Sequence, residues 1–409
     1  MYSSQSLDTL ISKDIQKRKW WQSYRLVIIG ISFILLALAI ITTLALLLKC
    51  VVLVSIKPQT TIISTIITSS ITTTTVKQQN WINTDRMTNG RNFHTATLLN
   101  NGKVLVTGGL SSNPLNSAEL YDPSRDIWTI TSSMNFSRYH HTATLLENEK
   151  VLITGGNDGH NSINTTELYD PLTESWLTVS NMNNERIDHT ASLLDNGKVL
   201  VTGGKSGNDY LSSAELYDPS RDIWTTTSNM NNARVEHTAT LLKNGKILVT
   251  GGHNIQVLNS AELYDPLKGS WTITGKMINA RYSHTASLLI DGKVLVTGGL
   301  NQNALNSAEL YDPFTENWTS TTNMNSTRWY STASLLNNGK VLITGGSNNE
   351  ILNTVELYDP LKQTWTIINN MTNARYSHTA TILNNGNVLV MGGRNSSMVL
   401  DTAELYSPL

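Results

Sequence analysis

A pair of adjacent glycines recurs seven times in this chain, beginning at Gly108, Gly155, Gly203, Gly251, Gly298, Gly345 and Gly392, at intervals of 47 or 48 residues. Seven tryptophans keep the same step: Trp81, Trp128, Trp176, Trp224, Trp271, Trp318 and Trp365. So do seven methionines from Met87 to Met371, and seven arginines: Arg91, Arg138, Arg186, Arg234, Arg281, Arg328 and Arg375. A period of this length marks one supersecondary unit that buries its apolar faces only by stacking on copies of itself. The fold must therefore hold seven equivalent units.

Each unit reads as four short strands. The first resembles His94–Leu99 and is followed by a tight turn such as Asn101-Gly102 or Asp291-Gly292, dipeptides that favour the positive φ angles of a two-residue hairpin. The second, like Lys103–Gly109, is β-branched and apolar up to the Gly-Gly. The third, Ala118–Tyr121, stops at Asp122-Pro123, because proline cannot donate to a ladder. The fourth carries the tryptophan and a run of Thr or Ile. Four strands per unit predict an all-β, seven-bladed propeller of four-stranded blades over residues 78–409. Trp81 begins with a fourth strand and Ala403–Tyr406 is a third, so the strand around Trp81 is expected to complete the seventh blade and close the ring.

The repeated Arg-x-x-His-Thr-Ala, Val-Leu-Val-Thr-Gly-Gly and Ala-Glu-Leu-Tyr-Asp-Pro segments resemble the kelch family, in particular the kelch blades of galactose-oxidase-like proteins. The resemblance implies the fold more than a function, since propellers host enzymes and binding modules alike. Galactose oxidases use a copper site with a cysteine crosslinked to a tyrosine, and this propeller contains no cysteine. Kelch adaptors of ubiquitin ligases carry a further interaction domain, where here an apolar segment and a Thr-rich stretch precede the repeats. The Asp-box of sialidase propellers is missing. No phosphate-binding glycine loop, Gly-x-Ser-x-Gly or His-Glu-x-x-His motif occurs.

Six histidines share one repeat position (His94, His141, His189, His237, His284 and His378), with Ser331 in the sixth unit. Equivalent residues of seven blades lie too far apart to share one metal ion at about 2.0–2.1 Å, so a structural hydrogen bond is expected of each. Seven glutamates (Glu119, Glu167, Glu215, Glu262, Glu309, Glu356 and Glu404) match the seven arginines one for one, and a repeated ion pair is the simplest account. With no cofactor implied, the expected role is non-catalytic. The alternative is a carbohydrate-active or oxidase-like enzyme that uses unidentified loop residues.

Ahead of the repeats the chain divides into three. Residues 26–48 carry no charge; as a helix they would reach about 35 Å, enough to span the hydrocarbon core. This reads as an uncleaved signal anchor, with a removed signal sequence as the alternative. Lys13, Lys17, Arg18, Lys19 and Arg25 precede it and only Lys49 and Lys57 closely follow, which predicts a cytoplasmic tail (1–25) and an exported propeller, a single-pass type II arrangement. Residues 49–77 are a Thr/Ser/Ile-rich stalk, either an extended linker or an O-glycosylated spacer. The only cysteine, Cys50, excludes a disulfide framework and leaves an intermolecular bridge or an unreactive thiol. Lys plus Arg (30) balance Asp plus Glu (31), which argues against nucleic acid as a partner.

The second-to-third loops vary most between units, and variation on a fixed scaffold is where function usually resides. Sequons stand at Asn135, Asn164, Asn317, Asn325, Asn370 and Asn395. All but Asn317 fall on the face that carries those loops, and used sequons would cover units two, six and seven. Lys205, Asp209, Tyr210, His253, Gln256, Asn301 and Gln302 of units three to five are then the expected contacts for a protein or glycan ligand.

Overall fold

The computed structural model describes residues 81–408. The tail, the apolar segment 26–48, the stalk and Cys50 lie outside the described residues. Among the described residues no helix is long and apolar enough to cross a membrane.

Seven antiparallel four-stranded sheets form the blades. In blade one the strands are Thr95–Leu98, Val104–Thr107, Ala118–Asp122 and Ile127–Thr131, from the innermost outward. Blades two to six repeat this order from Thr142, Thr190, Thr238, Thr285 and Thr332, and blade seven begins at Thr379. The innermost strands touch their neighbours around a closed circuit of seven. Blade seven takes its outermost strand from the other end of the repeats: Trp81–Asn83 pairs with Ala403–Tyr406, Trp81 opposite Tyr406. The Trp81 indole donates to the Asn369 carbonyl of blade six at 2.7 Å, as Trp128 donates to Asp85 and Trp176 to Ser132. The joining strand thus makes the same blade-to-blade bond as the other outermost strands.

Every second strand is fully buried, because both of its faces meet other blades. One cluster joins Leu105, Leu120 and Met134 of blade one to Val151, Ile153 and Tyr169 of blade two, and the others repeat this plan. The Gly-Gly pairs belong to the same packing. A Cβ on Gly155, at φ +60°, would lie 2.6 Å from the Arg186 carbonyl oxygen and 2.8 Å from the His189 ring, both of the next blade.

The repeated charges are internal. All seven Arg–Glu pairs stand at 2.6–2.8 Å with both side chains fully buried. Each arginine also donates to a glycine carbonyl of its own blade, as Arg91 does to Gly108 at 2.7 Å. The histidines reach further than a local bond. His141 Nε2 meets Thr95 (3.0 Å) and Thr107 (3.3 Å) of the preceding blade, and His189 meets Thr142 and Thr154 at the same distances. They are struts between blades.

Candidate functional site

The second-to-third and fourth-to-first connections share one face. Where the fourth-to-first connections turn into the innermost strands, they carry Arg-x-x-His, and the structure gives its two variable positions separate tasks. The first pairs in antiparallel fashion with the residue after Gly-Gly: Tyr139 with Asn157, Ile187 with Lys205, Val235 with His253, Tyr282 with Leu300, Trp329 with Ser347. The second is Phe93, His140, Asp188, Glu236, Ser283, Tyr330 or Ser377, each in the left-handed region at φ 49–55°. Non-glycine residues rarely adopt this conformation. It lets each of the seven donate its N–H to the carbonyl of the one before it, Phe93 to Ser377 at 3.1 Å, His140 to Phe93 at 3.1 Å, and so on to Ser377 on Tyr330 at 3.3 Å. These seven bonds close a backbone ring around the propeller axis.

The side chains on this ring differ from blade to blade and divide the axial mouth. One part is aromatic: Phe93 stacks on His140 at 3.9 Å and meets Tyr330 edge-on at 5.7 Å, while Tyr330 packs on Trp329 at 4.6 Å. The other is acidic. Asp188 meets His140 Nδ1, and Glu236 accepts from the Ser283 hydroxyl and from Tyr330. Burial, then the charge of Asp188, pushes the Glu236 carboxyl above its ordinary range. Burial, with Glu236 and Asp188 nearby, raises the Tyr330 phenol as well. Ser377 adds a buried hydroxyl without a partner. Asp188 and Glu236 thus place two neighbouring carboxyl groups at the mouth, the second of which resists ionisation.

Of the residues singled out from the sequence, the fold brings three together. Lys205 Nζ lies over the Tyr210 ring at 5.4 Å, Tyr210 meets His253 at 5.7 Å, and His253 packs on Tyr282 at 4.7 Å. This chain of rings runs inward to the mouth, where His253 acts electrostatically on Glu236. Asp209 and Gln256 are exposed, and Asn301 and Gln302 belong to a hairpin in blade five that begins at Leu300, the partner of Tyr282. Among the sequons, Asn135, Asn317, Asn325 and Asn370 are exposed. The Asn164 amide donates to the Met182 carbonyl at 2.9 Å, a bond that Asn116, Asn259, Asn306 and Asn353 repeat. Asn135 and Asn325 donate to Thr178 and Glu356, and the Asn395 side chain caps its own turn.

The axial residues were missed from the sequence, yet a signal was present. Within Arg-x-x-His nearly everything is fixed except the pair Asn-Phe, Tyr-His, Ile-Asp, Val-Glu, Tyr-Ser, Trp-Tyr and Tyr-Ser.

A closed ring of seven four-stranded blades, each with its Gly-Gly, Arg and Glu, is a kelch-type propeller. Residues 93–299 and, overlapping them, 189–393 match the KLHDC2/KLHL20/DRC7 Kelch-repeats domain, and the chain belongs to that family. No curated protein matches the chain. Among solved structures it is similar to a fungal alcohol oxidase of the AA5 family in complex with copper, with a TM-score of 0.67 and 18% identity over 81% of this chain and 76% of that one. That likeness is one of fold. Among the described residues no three His, Cys, Asp or Glu side chains converge to hold a metal ion.

Proposed function

We propose that this chain is a non-catalytic, membrane-anchored kelch propeller whose loop face binds a partner protein outside the cytosol. One observation carries the reading. In a structure whose blades share their core, ion pairs and struts, the seven side chains around the axial mouth are nearly all different. Residues that pack alike in seven blades serve the scaffold; those that differ at one concave site serve recognition. The mouth suits a Lys or Arg side chain set against Asp188 and Glu236, with Phe93 and Tyr330 supplying apolar contact. Lys205, Tyr210 and His253 extend the contact outward.

Random peptides displayed on phage and selected on the full chain are expected to converge on a basic residue beside an aromatic or aliphatic one. Asp188→Asn with Glu236→Gln should weaken the selected peptides at least tenfold, roughly 1.4 kcal/mol. Peptides without a basic residue, or equal binding by the double variant, would move the contact away from the mouth.

The tether rests on the uncharged segment 26–48 and its flanking charges, and exposed Asn317 and Asn370 are compatible with an exported glycoprotein. A Cys50-linked dimer fits the same arrangement. Protease added to the cytosolic side of sealed vesicles is expected to leave the propeller intact; its digestion from that side would reverse the orientation.

A further inference from the structure

A second site lies off the axis. Between blades five and six the loop face opens into a cleft of about 590 Å³, lined by Gln302, Asn303, Thr327, Trp329, Asn349 and Glu350 among others. Trp329 is its aromatic wall. Its backbone is held by reciprocal hydrogen bonds with Ser347 at 2.9 Å, and its ring by Tyr330 at 4.6 Å. Its polar lining is open to a ligand: Gln302, Asn303, Asn349 and Glu350 are exposed and Thr327 is half-buried. Gln302 stands at the hairpin tip with φ 58°, where glycine would be at ease, and keeps a long amide at the rim.

We propose that this cleft binds a neutral saccharide. A pyranose ring presents an apolar face of C–H groups and an equator of hydroxyls that each donate and accept. A fixed indole offers a matching flat surface with an N–H at its edge. Side-chain amides donate and accept in one plane, and so meet vicinal hydroxyls in pairs. A peptide would call for apolar pockets or a free strand edge, and this lining is chiefly amide. No lysine or arginine lines the cleft, and Glu350 repels anions, so sialylated and sulfated sugars are disfavoured. The cleft adjoins the axial mouth, since Tyr330 packs on Trp329, but the proposal stands whether or not that mouth takes a peptide.

The test is a printed array of neutral and anionic oligosaccharides read with the detergent-solubilised full chain, followed by isothermal titration with the tightest neutral oligosaccharide. Binding to neutral glycans is expected, weakened at least tenfold by Trp329→Ala. Asn349→Ala with Glu350→Ala, two exposed loop positions that carry no core packing, should weaken it as well. Asp188→Asn alone, which keeps the Glu236–Tyr330 bond, should leave it unchanged, which separates this site from the axial one. No binding on the array, a preference for anionic glycans, or full affinity in the Asn349/Glu350 variant would each overturn the proposal.

Discussion

Replacing Arg234 by methionine lowers the stability of the propeller by about 3–5 kcal/mol, the usual result of stripping one partner from a buried ion pair. Glu262 would be left fully buried without its 2.7 Å partner. Burial pushes this carboxyl up, but its bonds from Asn231 and Arg234 more than offset that and hold it below its ordinary value, so losing the arginine removes part of what keeps it charged. Removing both charges with Arg234→Met and Glu262→Leu is milder than the single change without being neutral. Glu262 also accepts the backbone N–H groups of Asn231 and Asn232 at 2.7 and 3.0 Å, and a buried donor left unmade costs about 1–3 kcal/mol. Denaturant midpoints of the wild type and both variants decide it. An unchanged midpoint in Arg234→Met would show the pair to be dispensable.

Mild acid is the second large effect. Burial, then the neighbouring arginines, holds His94 and His189 down to about 3, and His141, His237, His284 and His378 well below their ordinary value. In the unfolded chain they titrate near 6.5. The folded state therefore binds fewer protons below that pH. The histidine contribution is complete above pH 6.5 and is lost as pH falls toward 3. One pH unit below 6.5, each histidine accounts for about 1.4 kcal/mol at most, and six add to several kcal/mol. Carboxylates such as Glu215, also held below the ordinary value, lose their contribution only in stronger acid, and Glu236, held above it, opposes the loss, so the window from pH 7.5 to 5.5 reports chiefly the six histidines. Equal denaturant midpoints at those two pH values would mean that the struts accept protons without strain.

Much of this architecture was legible because the chain carries seven copies of its own instructions. Trp, Gly-Gly, Arg and Glu each recur once per unit, and each proves to be a contact within a blade or between blades, so periodicity alone exposes the core. The mouth was less legible for the same reason. Phe93, His140, Asp188 and Glu236 share one repeat position without sharing chemistry, and nothing along the chain says that their backbones close a ring. Attention to loop variability found Lys205, Tyr210 and His253, which do approach the mouth. It also gathered Asp209 and Gln256, which are exposed and lie outside that chain of rings, since variability follows exposure along a loop.

The pairing of Trp81–Asn83 with Ala403–Tyr406 also sets the order of assembly. During synthesis blades one to six have all their strands as each unit emerges, while the first strand made waits for the last. For as long as about 320 residues take to be polymerised, at roughly 5–20 residues per second, that strand has an unsatisfied edge. Maturation of the ring is thus a single late event, and a chain released early leaves both an orphan strand and an exposed blade face. Closure of the ring depends on one pairing between the two ends of the repeats.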